Sequence, residues 1–132
     1  MGTIVADASA IAAFIIEGST ETALHAFLSD PSDVHAPEIC DVEILSTFRS
    51  LLRRRMVTTT QAQEALLHYA AMPMTRHPHL RLLGRGFDLR ENVTASDAMY
   101  VALAEALEAP LLTIDRRLAR AVEPHTSIRI VP

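Results

Sequence analysis

The sequence predicts an α/β domain with a mainly parallel central sheet and helices on both of its faces. Short apolar runs of strand type take turns with helical patterns along the whole chain, which favours parallel strands joined by helices. Acidic residues follow two of these runs, at the sheet edge where α/β domains bind ligands. With 132 residues, 49% of them hydrophobic, residues 1–132 have the size of a single domain, and we expect one.

Strand and helix patterns cover most of the chain. The strand-like runs are residues 3–6, 34–36, 72–77, 111–114 and, with the alternation of an edge strand, 128–131. Helical patterns cover residues 8–16, 20–29, 37–55, 78–89, 98–107 and 116–122. A further helix is predicted to begin with a capping box formed by Thr60 and Gln63.

The long helix 37–55 is predicted to carry Pro37 in its first turn, where a missing N–H costs no hydrogen bond. Its predicted apolar face consists of Ile39, Val42, Leu45, Phe48 and Leu52.

Composition excludes several classes of protein. The single cysteine, Cys40, cannot form an internal disulfide, and the start of the chain lacks a basic segment followed by a cleavable apolar one, so we expect a cytoplasmic protein. The apolar run 8–16 is too short to span a bilayer. All twelve basic residues are arginine. The absence of lysine argues against phosphotransfer on an aspartate, because receivers and haloacid-dehalogenase phosphatases rely on a lysine.

Four acids form a candidate site. Asp7 and Asp115 follow apolar strand runs, Asp97 lies in the first turn of a helix that starts near Thr94, and Glu43 lies mid-helix on a small, nearly uncharged side. Carboxylates gathered at the strand ends would repel one another and would favour a divalent cation. Oxygen-only ligation suits Mg²⁺ or Mn²⁺, whereas zinc prefers cysteine and histidine.

Simpler explanations exist for each acid. Aspartate is common at helix N-caps and first turns, and a mid-helix glutamate is commonly exposed to solvent. The formal net charge of −4 does not suggest a nucleic-acid binder, but these four acids supply all of it, since −4 + 4 = 0 for the remaining residues. Cations bound at the four acids would therefore remove the electrostatic objection to a polyanionic substrate.

The order of these motifs resembles the PIN-domain family, and most of all its VapC-like toxins. The similarity includes Val-Ala-Asp-Ala-Ser-Ala around Asp7, Glu43 in a mid-chain helix, Val-Thr-Ala-Ser-Asp-Ala-Met-Tyr around Asp97, and Leu-Leu-Thr-Ile-Asp-Arg-Arg-Leu around Asp115. The resemblance implies a three-layer α/β/α fold and a Mg²⁺- or Mn²⁺-dependent endoribonuclease. It also implies an RNA substrate, a cognate antitoxin protein and a homodimer.

The resemblance assigns roles to particular residues. Asp7 and Asp97 match metal-binding aspartates of the family, and Glu43 and Asp115 complete the acidic set. Ser9 and Thr113 match positions where a hydroxyl lies beside the site. Arg117 is a departure, because many relatives carry another acid shortly after the fourth, and it puts a second metal in doubt.

Some arginines and histidines outside this acidic set are also candidate functional residues. Arg49, Arg53 and Arg116 are the candidates for substrate or partner contact, because they lie nearest the predicted cleft. The triplet 53–55 also complements the dipole at a helix C-terminus. His77-Pro78-His79 lacks a third ligand at suitable spacing and is predicted to be a surface loop.

Two other functions remain open from the sequence. One is a catalytically idle PIN-fold partner that binds or regulates other proteins, which metal-dependent cleavage by the isolated chain would exclude. The other is cleavage of DNA, which uses the same site chemistry.

Overall fold

A computed structural model describes residues 2–17 and 23–132. Its strands are β1 (Ile4–Ala6), β2 (Val34–Pro37), β3 (Thr75–His77), β4 (Leu111–Leu112) and β5 (Ile130–Val131). They form one parallel sheet in the order β3-β2-β1-β4-β5. The predicted parallel sheet is therefore confirmed, and the run 128–131 supplies an edge strand as predicted.

Helices flank this sheet and complete a three-layer α/β/α fold. Within the described ranges the α-helices are α1 (Ala8–Glu17), α2 (Ala23–Leu28), α3 (Ile39–Arg53), α4 (Thr59–Ala71), α5 (Leu83–Asp88), α6 (Ala95–Leu107) and α7 (Arg116–Val122). Of the predicted helix 20–29, residues 20–22 lie outside the described residues. The predicted helix 78–89 is divided into a 3₁₀ turn, Leu80–Leu82, and the short α5.

Strand β1 lies at the centre of the sheet, where the strand order reverses. Val5 aligns with His35 of β2 on one side and with Leu111 of β4 on the other. The backbone N–H of Asp7 donates to the carbonyl of Leu112, with an N···O distance of 3.0 Å. The carboxyl ends of β1 and β4 are therefore adjacent, which is the position where α/β sheets bind ligands.

Helix α6 is the most buried helix of the described fold. Every residue from Ala98 to Ala104 is buried, and the helix contacts β1, β2 and β4. Helix α5 packs closely against it at Gly86, where a Cβ atom would lie only 2.6 Å from Met99 Cε. A larger residue at position 86 would therefore require the flexible end of the Met99 side chain to shift.

The predicted apolar face of α3 is correct for Phe48, which is buried, and for Ile39, which packs against the core, but wrong for Val42, Leu45 and Leu52. The buried residues of this helix are Cys40, Ile44 and Phe48, spaced four apart, whereas Val42 is 58% exposed and Leu45 is 47% exposed. Helix α3 carries two apolar stripes, and periodicity does not show which of them faces the core. The core uses the stripe that contains the small Cys40.

The predicted starts of α3 and α4 also need correction. Pro37 ends β2 and pairs with His77, so it does not lie in the first turn of α3. Helix α4 is capped by Thr58, whose hydroxyl accepts the N–H of Gln61 (3.1 Å), and the Gln61 side chain accepts the N–H of Thr58 (2.9 Å). The capping box therefore lies two residues before the predicted one, in a run of three threonines.

The predicted loop is confirmed for Pro78 and His79, whereas His77 belongs to the strand predicted within residues 72–77. His77 is the last residue of β3, and its Nε2 lies 2.8 Å from Nδ1 of His35. Nε2 of His79 accepts the backbone N–H of Ile39 at 3.0 Å. His79 therefore satisfies one of the unpaired donors at the N-terminus of α3.

Within residues 2–17 and 23–132, no helix combines the length and the apolar character that crossing a bilayer requires.

The position of the capping box of α4 can be tested by substitution. We expect Thr58→Ala to lower the free energy of unfolding by about 1 kcal/mol, because an N–H at the helix start loses its acceptor. Urea denaturation measures the change. Thr60→Ala is the matched control, since Thr60 is exposed inside α4, and it should change stability by much less. A larger loss for Thr60→Ala would contradict the observed cap.

Candidate active site

A cleft of about 620 Å³ opens at the carboxyl ends of β1 and β4. All four predicted acids line it: Asp7, Glu43, Asp97 and Asp115. Asp7 follows β1, Glu43 is on α3, Asp97 is on α6, and Asp115 precedes α7. The fold thus collects carboxylates that are up to 108 residues apart in the sequence, from 7 to 115, in one depression.

Asp7 is buried, with only 6% of its surface exposed. Its Oδ1 accepts hydrogen bonds from the Ser9 hydroxyl (2.6 Å) and the Ala10 N–H (3.0 Å), and its Oδ2 accepts one from the Thr113 hydroxyl (2.5 Å). Burial nevertheless raises the pKa of Asp7, because these hydrogen bonds only partly offset the loss of solvent. Ser9 and Thr113, which the resemblance places beside the site, therefore hold Asp7 in position.

Asp97 is placed by the start of α6. The Thr94 hydroxyl accepts the backbone N–H of Asp97 (3.2 Å), so Asp97 occupies the first turn as predicted. Its carboxylate is half-buried. Burial raises the pKa of Asp97, the charge of Asp115 raises it further, and the guanidinium of Arg117 acts in the opposite direction.

Asp115 serves as the N-cap of α7 and also lines the cleft. Its Oδ1 accepts the backbone N–H groups of Arg117 (3.0 Å) and Leu118 (3.2 Å). The capping explanation for this aspartate is therefore correct, but it engages only Oδ1. Oδ2 takes no part in the cap, so the residue can hold the helix and present an oxygen to a ligand.

Glu43 is half-buried, and its carboxylate reaches the cleft from the middle of α3. Burial raises the pKa of Glu43, and the charges of Asp97 and Asp7 raise it further. The Tyr100 hydroxyl donates to Glu43 Oε1 at 2.5 Å. Sequence analysis did not identify Tyr100, although its position one helical turn after Asp97 places both on the same side of α6.

The tyrosine hydroxyl is a stable donor. Tyr100 is only 1% exposed. Burial raises the pKa of Tyr100 far above its ordinary value, and the neighbouring Cys40 and Glu43 raise it further, so the phenol keeps its proton.

The arginines are arranged differently from the sequence-based expectation. Arg49 and Arg53 are exposed on α3 and do not line the cleft, and Arg116 lines a neighbouring depression on the β5 side. Arg117 is the arginine that shares a depression with both Asp97 and Asp115. Arg117, which departs from the family pattern, thus places a positive charge where many relatives carry an additional acid.

The donor set fits a hard divalent cation by its chemistry. The charged groups of the cleft are carboxylates, and three of them, Asp7, Glu43 and Asp97, have a raised pKa, which shows that their charges are incompletely compensated. Within the described ranges, however, no three acidic, histidine or cysteine groups are gathered closely enough to enclose an ion. A cation would therefore have to draw these side chains together.

Comparison with known proteins identifies the family of this chain. The family model described as PIN domain matches residues 4–124. The chain belongs to the PIN-domain family. This PIN domain is 36% identical over 130 residues to VapC ribonuclease Mb0985 of Mycobacterium bovis, and the match covers 98% of each chain.

Two solved structures share the fold of this PIN domain. PAE2754 from Pyrobaculum aerophilum has a TM-score of 0.74 at 19% identity, and the match covers 98% of this chain and 83% of that one. Mycobacterium tuberculosis VapC20, described as a sarcin-ricin loop cleaving toxin, has a TM-score of 0.65 at 18% identity, covering 90% of this chain and 95% of that one. At these identities the likeness concerns the fold.

The raised pKa of Asp7 predicts a pH dependence of stability. Above pH 3.8, the ordinary value for aspartate, the unfolded chain releases a proton that the folded protein still holds. The contribution of Asp7 to the free energy of unfolding of the metal-free protein should therefore fall as the pH rises through this window. Asp7→Asn keeps the shape of the side chain without its charge. The free energy of unfolding of this variant should therefore rise relative to that of the unaltered protein as the pH rises.

Urea denaturation in EDTA between about pH 4 and pH 7 measures this difference. Asp88→Asn, which removes the charge of an exposed aspartate on α5, is the control and should show a much flatter difference. A pH-independent gap between Asp7→Asn and the unaltered protein would contradict the account of Asp7.

Proposed function

We propose that this PIN domain is a Mg²⁺- or Mn²⁺-dependent endoribonuclease that acts as the toxin of a toxin–antitoxin pair. The observation that carries the proposal is the convergence of four carboxylates in one cleft at the switch point of the sheet. The choice of RNA as substrate follows the relatives, which are named ribonucleases and match nearly the full chain.

Asp7, Glu43, Asp97 and Asp115 would hold the cation, because they are the oxygen donors of the cleft. A bound Mg²⁺ or Mn²⁺ supplies Lewis acidity, which promotes deprotonation of water near neutral pH and neutralises charge on phosphate oxygens. Ser9 and Thr113 keep the Asp7 carboxylate oriented through their hydroxyl hydrogen bonds. Attack of water on phosphorus with cleavage of the P–O3′ bond would leave a 5′-phosphate and a 3′-hydroxyl.

Arg117 adds a positive charge beside the acids. Its guanidinium acts on Asp97, and the side chain is exposed in a depression next to the cleft. In this position it can attract a phosphate group of the RNA. Arg49, Arg53 and Arg116 are farther from the cleft and are proposed as contacts to the outer part of the substrate or to a partner.

Cleavage of total cellular RNA by the purified chain tests the activity. We expect discrete fragments with 5′-phosphates in the presence of Mg²⁺ or Mn²⁺, and we expect EDTA to abolish them. Asp97→Asn should abolish cleavage and keep the fold, because asparagine keeps the shape of this half-buried side chain and removes only its charge. Asp88→Asn, far from the cleft in α5, should cleave as the unaltered protein does.

The negative outcome has a defined meaning. A folded protein that cleaves no RNA with either metal would favour the catalytically idle binding or regulatory partner. Cleavage of single-stranded DNA at a similar rate would favour a less selective nuclease. Full activity of Asp97→Asn would exclude the proposed site.

The antitoxin is proposed to bind next to the acidic cleft. A groove of about 360 Å³ lies between α1, α3 and α4 and is lined on its apolar side by Ile15, Ile16, Phe48, Met56 and Val57. Ile16 also lines the acidic cleft, so the two depressions adjoin at this residue. An antitoxin segment with apolar side chains in the groove and a basic side chain in the cleft would complement both surfaces.

The outward face of α3 is proposed as the homodimer interface. Val42, Leu45 and Leu52 are exposed on this helix at spacings of three and seven residues, so they form one apolar stripe. A two-fold axis would lay this stripe against its copy and cover it. A dimer in the cytoplasm is the proposed setting, consistent with the free, buried Cys40.

Substitution of Leu45 tests the dimer. We expect Leu45→Glu to convert the protein to a monomer in sedimentation velocity experiments, because it places a charge in the apolar stripe. Leu67→Glu is the matched control, since Leu67 is a 72% exposed leucine on α4, and it should leave the dimer intact. An unaltered protein that sediments as a monomer at micromolar concentration would refute the dimer itself.

A further inference from the structure

Glu43 needs more help in positioning than Asp7 and Asp115. Asp7 is held by three hydrogen bonds, and Asp115 is held by two backbone N–H groups. Glu43 lies in the middle of α3 and has a longer, more flexible side chain, whose ordering costs more conformational entropy. Its hydrogen bond from Tyr100 is therefore the contact that can fix its carboxylate.

Tyr100 is well suited to this task. It belongs to the most buried part of α6, and its hydroxyl lies 2.5 Å from Glu43 Oε1. Asp97 precedes it by one helical turn, so a single rigid helix places both the Asp97 carboxylate and the donor to Glu43. The hydrogen bond engages Oε1, which leaves Oε2 available to a ligand.

The phenol ring itself is fixed by its surroundings. The Tyr100 side chain is fully enclosed, and the buried Cys40, one turn before Glu43 on α3, lies near its hydroxyl. Cys40 also lies near Tyr69, whose hydroxyl donates to Asp41 at 2.5 Å. The two tyrosines thus make similar buried contacts to acids of the same helix, but only one of these acids, Glu43, lines the cleft.

We propose that Tyr100 is a positioning residue that holds the Glu43 carboxylate for binding of the divalent cation. This inference rests on the proposed metal site and adds a residue to it. Tyr100 acts through Glu43, to which its hydroxyl donates. Groups that orient metal ligands commonly change metal affinity by about 10- to 100-fold when they are removed.

Direct measurement of Mn²⁺ binding to the full chain tests the proposal. We expect Tyr100→Phe, which removes only the hydroxyl, to weaken Mn²⁺ binding by about tenfold in isothermal titration calorimetry of EDTA-stripped protein. Tyr69→Phe is the matched control, because it removes a buried hydroxyl bonded to Asp41, away from the cleft. It should change Mn²⁺ affinity by less than about twofold, although both variants lose a buried hydrogen bond.

A second variant separates positioning from general damage. Glu43→Asp keeps a carboxylate but shortens the side chain, so the hydrogen bond to Tyr100 is lost. In this background Tyr100→Phe should weaken Mn²⁺ binding no further, because the two residues act as a coupled pair. Additive losses in the double variant would overturn the proposal.

The outcomes distinguish the two levels of inference. Mn²⁺ binding by the unaltered protein together with unchanged affinity in Tyr100→Phe would overturn the role of Tyr100 alone. Equal weakening in Tyr69→Phe and Tyr100→Phe would also overturn it, because the effect would then be a general one. Absence of Mn²⁺ binding by the unaltered protein would overturn the metal site and the role of Tyr100 together.

Discussion

Parallel pairing of β1 with β4 is the contact on which the site depends. In this register Val5 and Ala6 align with Leu111 and Leu112, and the strands end side by side. The Thr113 hydroxyl then reaches Asp7, although the two residues are far apart in the sequence. Asp7 can be buried at this point only because Ser9, Ala10 and Thr113 supply hydrogen-bond donors.

The buried carboxylates of the acidic site destabilise the metal-free fold electrostatically. This destabilisation is related to the proposed binding of a cation. Burial raises the pKa of Asp7, Glu43 and Asp97, and their negative charges act on one another. The attraction of a cation at the same place would lower these pKa values and offset both effects, so a bound metal should stabilise what the charges alone destabilise. The buried α6 and the apolar central strands provide the rigid frame that tolerates this cluster.

Much of the fold was predictable, because alternating strand and helix patterns depend on local sequence. The α7 helix and its aspartate at position 115 are examples. The choice of buried stripe on α3 was not predictable, because it depends on how the helix packs, and neither was the cap at Thr58 among three successive threonines. The structure brings the four predicted acids to one cleft, whereas the roles of Tyr100 and Arg117 depend on contacts between distant helices.

Crystallography in the presence of Mn²⁺ tests the central claim most directly, since Mn²⁺ can be located by its anomalous scattering. The proposed metal site predicts an anomalous peak in the acidic cleft, within coordination distance of carboxylate oxygens of Asp7 and Asp97. Its occupancy should fall in crystals of Asp97→Asn. No peak in the cleft at saturating Mn²⁺, or a peak only at another place such as the His35 and His77 pair, would contradict it.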